Sequence, residues 1–162
     1  MLNVETMKVS EDAIKRINAS WIEAVENALT AHGDASLTKE VMKAAGRKCA
    51  QQIINDCAEI IGRRPANIDE LLEATNQRRL RIHGLDSLWE KEGNRAHLRI
   101  DKCGCTLVKA GLARISPVHC LCSIGLMENL FSAVCTGPVV VEVVKTIGFG
   151  DEVCEFYVDF EE

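Results

Sequence analysis

Two pairs of cysteines carry most of the chemistry open to this chain. Cys103-Gly104-Cys105 and Cys120-Leu121-Cys122 form a C-x-C…C-x-C pattern with 14 residues between the inner cysteines. Four thiolates within reach of one ion suit tetrahedral zinc, with an iron–sulfur cluster as the less favoured variant. The usual zinc knuckle is C-x2-C, because that turn aims both sulfurs and several backbone N–H groups at the metal. C-x-C is a rarer chelate, helped here by Gly104, which leaves room for a sharp turn. The spacing therefore predicts a structural zinc held by Cys103, Cys105, Cys120 and Cys122, with no open coordination position.

Two other chemistries compete for the same residues. Cys103 and Cys105 can close a small, strained disulfide of high reduction potential, which would make this a thiol redox protein. Alternatively Cys120 or Cys122 acts as a nucleophile with His119 as its acid–base partner, although no Asp or Asn is evidently placed to orient that histidine. His119 reads equally well as a plain polar helix residue. The remaining candidates have simpler readings. Cys49 and Cys57 fall on an apolar helical stripe, where a free cysteine behaves as a small hydrophobe. Cys135 stands at a helix end, and Cys154 alternates with aromatic residues on a strand. His83 and His97 lack ligand-like spacing. Arg78, Arg79 and Arg81 read as a solvated basic run, and Asp151 as a turn residue. No phosphate-cradling glycine loop and no G-x-S-x-G elbow is present.

The elements that position these residues differ between the two halves. Residues 1–80 read as mainly helical. Ser10 caps a run in which Ile14, Ile17, Trp21, Val25 and Ala28 recur at helical spacing up to Gly33. A second helix is expected from Thr38 to Ile61 with a stripe through Met42, Ala45, Cys49, Ile53 and Cys57, and a third from Asn67 to Thr75. Residues 81–162 read as strands and one helix. Ser87–Glu90 and Ala96–Lys102 flank a Glu92-Gly93-Asn94 turn. A helix is expected over Ser116–Cys135, stopped by Gly137-Pro138, and then a hairpin of Val139–Ile147 and Val153–Phe160. Cys154, Phe156, Val158 and Phe160 share one face of the last strand. The expected class is α+β, with N-terminal helices packed on a small antiparallel sheet that ends in a C-terminal β-hairpin.

The start of the second-half helix matters for the chemistry. With Ser116 as N-cap and Pro117 at the first helical position, Cys120 and Cys122 lie about 200° apart round the axis, and His119 shares a face with Cys122. With Ser123 as N-cap, Cys120 and Cys122 sit together in a loop and can chelate one ion. The sequence leaves both open.

Composition limits the partners. The 162 residues carry a net charge of −5, which removes the electrostatic attraction on which nucleic-acid binding usually depends. No stretch approaches the ~20 consecutive apolar residues of a membrane span. Met1–Arg16 has no apolar signal core, so the expected setting is cytoplasmic, where clustered thiols more often mean metal or redox chemistry than staples. The length fits one domain over 1–162, and a homodimer is compatible with a domain of this size.

The C-terminal third also resembles a known family. Pro117-Val118-His119-Cys120 followed by Gly125, the strand Pro138-Val139-Val140-Val141-Glu142, and the closing Gly150-Asp151-Glu152-Val153-Cys154-Glu155-Phe156 are similar to the 4-vinyl reductase domain. The closing pattern is shared with proteins similar to L-2-amino-thiazoline-4-carboxylate hydrolase and with related bacterial proteins carrying C-x-C…C-x-C-S-x-G. The resemblance spans about Lys102–Phe160. It implies a mixed fold of the kind found in trafficking-particle subunits, and a domain that binds a small hydrophobic or carboxylate ligand, with a cysteine-based metal site and a sensor or accessory role. Cys120 and Cys154 match the family's cysteines, which makes Cys154 a candidate pocket residue. Thr146 departs from the pattern where another cysteine often stands, and Cys103, Cys105 and Cys122 offer replacement ligands. The hydrolase likeness implies an enzymatic alternative using a Cys/His or metal site.

Overall fold

The computed structural model describes residues 10–84 and 88–161. Ser87 of the first expected strand and the first nine residues lie outside that range. The first half holds three capped helices. In α1, Glu11–His32, the Ser10 hydroxyl accepts the Ala13 N–H at 3.2 Å, and Gly33 closes the helix with φ 74°. Helix α2, Ala35–Ile61, starts three residues before the expected Thr38, because Asp34 accepts the Leu37 N–H at 2.9 Å and caps it there. Helix α3, Ile68–His83, is capped by Asn67 and runs well past the expected end at Thr75.

Its length follows from the arginines. Arg78 and Arg79 do not form a solvated run but are buried, each 8% exposed. The Arg78 Nε donates to Asp56 of α2 at 2.6 Å, so an opposite charge accompanies the guanidinium inward while its alkyl stem packs. Arg81 stays outside, donating to Gln77.

The second half supplies strands β1, Trp89–Glu92, and β2, Arg95–Ile100, joined across Gly93 at φ 57°. A one-turn helix α4, Thr106–Lys109, follows, then α5, Pro117–Cys120, and α6, Cys122–Ser132. Strands β3, Val139–Lys145, and β4, Cys154–Phe160, complete an antiparallel sheet of order β1-β2-β4-β3. The C-terminal strand is therefore central, pairing with both β2 and β3. Phe156, Val158 and Phe160 are buried on its inner face as the alternation predicts, against Leu130 and Phe131 of α6 and Trp89 of β1. The α+β class with helices on a small antiparallel sheet is the one observed.

Two glycines bring α2 and α6 together. A Cβ on Gly46 would overlap the Cys122 carbonyl, and one on Gly125 would overlap the backbone of Lys43. This close crossing rotates α2, so that its buried stripe is Met42, Gly46, Ala50, Ile54 and Cys57. Cys57 is core as expected, its sulfur 3.6 Å from the Thr75 hydroxyl. Cys49 is only half-buried and lies near Cys105 and Cys122 instead.

Candidate functional site

Ser116 is the N-cap: its hydroxyl accepts the His119 N–H at 3.0 Å, with Pro117 in the first turn. Leu121 between α5 and α6 keeps right-handed helical angles, φ −62° and ψ −22°, so the path through Cys120 and Cys122 stays helical. The first of the two expected geometries is the one adopted. The two cysteines leave on different sides of the axis, and His119 and Cys122 share a face.

That division sorts the thiols into two groups. On one side His119 is 5% exposed and stands between two partners. Its Nε2 lies 3.4 Å from the Cys105 sulfur, and its Nδ1 lies 2.6 Å from Glu26 Oε1 of α1. Glu26 also accepts the Ser116 hydroxyl, at 3.2 Å through Oε2. The result is a thiol–imidazole–carboxylate chain assembled from three separated segments. Glu26 is the orienting group that the sequence did not reveal. It is 93 residues from His119, and its only signal is an acid between Ile22 and Leu29 on the half-buried side of α1.

The electrostatics follow from this chain. Burial pushes the Cys105 thiol up, but the His119 hydrogen bond, the nearby Val108 and Leu107 amides and the imidazolium charge together bring it below its ordinary value. The hydrogen bond to Cys105, opposed by burial and reinforced by Glu26, pushes His119 up to about 9. Both shifts favour a thiolate–imidazolium pair at neutral pH, the form in which a cysteine is nucleophilic. Cys122 and Cys49 flank this pair. Burial, then the charges of Cys105 and Cys49, hold Cys122 far above the thiol range, and burial with the Cys105 charge also raises Cys49.

On the other side Cys120 and Cys154 meet the 3₁₀ turn Ile147–Phe149. The Ile147 N–H donates to Cys154 at 3.4 Å, and Gly148 lies so close to Cys120 that a Cβ there would overlap its sulfur. Burial, then the charges of Cys154 and Cys103, push Cys120 up to about 11, against the Gly148 amide that favours the thiolate. Cys154 is raised mainly by burial. The turn is held by Asp151, whose carboxylate accepts the Thr146 N–H at 2.8 Å.

The four cysteines of the expected zinc sphere are thus shared between the groups, Cys105 and Cys122 facing α1 and α2, Cys103 and Cys120 facing Cys154. Among the described residues, no three Cys, His, Asp or Glu side chains converge on a point that could hold a metal ion. The donor set fits zinc in chemistry but not in placement. Elsewhere His97 pairs with Glu155 at 3.1 Å and stacks on Tyr157.

Comparison with known proteins places the chain. The family described as a family of unknown function (DUF6144) matches residues 5–160. The chain belongs to that family. No curated protein matches it. Among solved structures, this member of the family is similar to a trafficking protein particle complex subunit 3 from Naegleria fowleri, covalently bound to palmitic acid. The TM-score is 0.60 at 12% identity, covering 94% of this chain and 98% of that one. It is similar to an H-NOX protein from S. oneidensis in the Fe(II)NO ligation state, with a TM-score of 0.54 at 12% identity, covering 100% and 82%. It is also similar to a vinyl-4-reductase family protein from Methanocaldococcus jannaschii, with a TM-score of 0.42 at 14% identity, covering 98% and 85%. The trafficking-subunit type of fold implied by the C-terminal motifs is the fold found. Among the described residues, no helix is long and apolar enough to cross a membrane.

Proposed function

We propose that this domain binds a small electrophilic molecule of the activated-acyl class and captures it covalently on Cys105. The observation that carries this reading is the Cys105–His119–Glu26 chain, at 3.4 Å and 2.6 Å. The thiolate attacks the carbonyl carbon, the His119 imidazolium gives its proton to the departing group, and a thioester to Cys105 remains. Glu26 holds the imidazole tautomer and stabilises its charge. The fold's other members lend support as ligand carriers, since the Naegleria subunit holds palmitic acid covalently and the H-NOX protein was solved with nitric oxide on its iron. A sensor or accessory role fits capture without turnover. The presence of Glu26 favours a second reading as a hydrolase, in which His119, neutral after the first step, activates water to cleave the thioester.

A series of p-nitrophenyl acyl esters tests this. The expected result is one acyl group per chain on Cys105 by peptide mass spectrometry, absent in Cys105→Ser and slowed several-fold in Glu26→Gln. Nitrophenolate release that stops after one equivalent supports capture, and steady release of free acid supports hydrolysis. No adduct on Cys105, or about one zinc per chain that is lost in Cys105→Ser, would sink the proposal and return the thiols to the expected metal site.

A further inference from the structure

The fold separates the cysteine pair that the sequence joins and offers Cys105 another thiol. Cys103 and Cys105 flank a single glycine, yet Cys103 lies near Cys120 and Cys154 on the far side of α5. Cys105 instead meets the His119 imidazole at 3.4 Å. Cys122 follows His119 by three residues on the same helical face, so its thiol stands on the side where imidazole and Cys105 meet. After burial, the charge of Cys105 is the largest influence on Cys122, ahead of Cys49 and Cys120.

The backbone around Cys122 is also the adaptable one. Cys122 opens α6 directly after Leu121. The junction there is held by short i→i+3 bonds, Leu121 N–H to the Val118 carbonyl at 3.2 Å and Ile124 N–H to the Leu121 carbonyl at 3.3 Å. Such a 3₁₀ junction is weaker than a helix interior and rotates at lower cost. Cys49, the other neighbouring thiol, lies inside α2 one turn past Gly46, which is pressed against the Cys122 carbonyl. α2 cannot shift there without disturbing that crossing.

We propose a second activity for this site, the reduction of a hydroperoxide by Cys105 with Cys122 as the resolving thiol, leaving a Cys105–Cys122 disulfide. It rests on the same activated Cys105 as the acyl capture above. The Cys105 sulfur attacks the terminal oxygen of the hydroperoxide and the O–O bond breaks. The His119 imidazolium gives its proton to the departing alkoxide or hydroxide, which leaves as alcohol or water. Cys105 is then a sulfenic acid, oxidised by two electrons. Neutral His119 next takes the Cys122 proton, and the Cys122 sulfur attacks Cys105. The S–O bond breaks, and the hydroxide released recovers that proton as water. Two thiols and one hydroperoxide thus give one disulfide, one alcohol (or water) and one water. Burial, then the Cys105 charge, keeps Cys122 protonated until the imidazole is free to accept, so one thiolate alone faces the oxidant.

Reduced full-length chain treated with one equivalent of hydrogen peroxide tests this, read by thiol titration and non-reducing peptide mass spectrometry. Two of the eight thiols should disappear, in a single Cys105–Cys122 linkage that dithiothreitol reverses. In Cys122→Ser the linkage should be absent, and Cys105 should remain a sulfenic acid that dimedone labels. In His119→Ala, peroxide consumption should slow ~10-fold or more, because the cation that sustains the thiolate and protonates the leaving group is gone. A Cys103–Cys105 or Cys49–Cys105 linkage, or a sulfenic acid that persists in the unaltered chain, overturns the inference. So does unreacted Cys105. If p-nitrophenyl esters still acylate Cys105 in that case, the peroxide chemistry alone falls, and if they do not, the activated thiolate falls with it.

Discussion

Cys105 and Cys120, on either side of α5, are the same residue type at similar burial and are shifted in opposite directions. Cys105 has an imidazole with a carboxylate behind it, whereas Cys120 has further cysteines and the backbone of Gly148 and Ser116. A neighbouring cation stabilises the thiolate, and a neighbouring thiol only adds repulsion once either ionises. The C-x-C spacing places thiols, but the His119 imidazole, held by Glu26 of α1, decides which of them is favoured as the thiolate.

The sharpest way to break that contrast is to compare the two sulfurs directly. Iodoacetamide labelling at neutral pH, read by peptide mass spectrometry, should modify Cys105 at least ~100-fold faster than Cys120. A sulfur held below its ordinary value and one pushed up to about 11 differ by two or more pH units of thiolate formation. Equal rates would mean that the imidazole does not reach Cys105 in solution.

Replacing the imidazole should erase the difference. In His119→Ala, Cys105 keeps its burial and loses the cation. Its pKa then rises, the thiolate fraction at any pH below about 9 falls, and labelling at neutral pH should drop ~10-fold or more with the inflection of the rate–pH curve displaced upward. A profile that stays in place would assign the lowered value to the Val108 and Leu107 amides alone. The smallest effect belongs to the other side. Gly148→Ala forces a methyl onto the Cys120 sulfur and the Ser116 carbonyl, which should cost about 1–3 kcal/mol in thermal or urea unfolding. Cys105 labelling should be unchanged, and a parallel loss there would show that the two groups are mechanically coupled through α5.

Much of the frame was legible because it rests on local rules. Ser10 and Ser116 cap where they stand, Gly93 turns the first hairpin, and Phe156, Val158 and Phe160 alternate inward. The errors share one cause. Arg78 reads as a surface residue until Asp56, 22 positions away, is known to face it. Cys49 reads as core until the Gly46–Gly125 crossing turns α2 past it. The stripe of Ile14, Ile17, Trp21 and Val25 has the helical spacing of a packed face, and the structure turns it to solvent.

The sequence by itself determined the main helices and strands, the Ser10 and Ser116 caps, the α+β class and the concentration of thiols around Cys103–Cys122, because capping, periodicity and turn chemistry act over three or four residues. Only the tertiary structure decided which sulfur meets which partner. Contacts between residues 26 and 119, or 105 and 119, depend on how three segments pack, and packing is a property of complementary surfaces that no local pattern encodes.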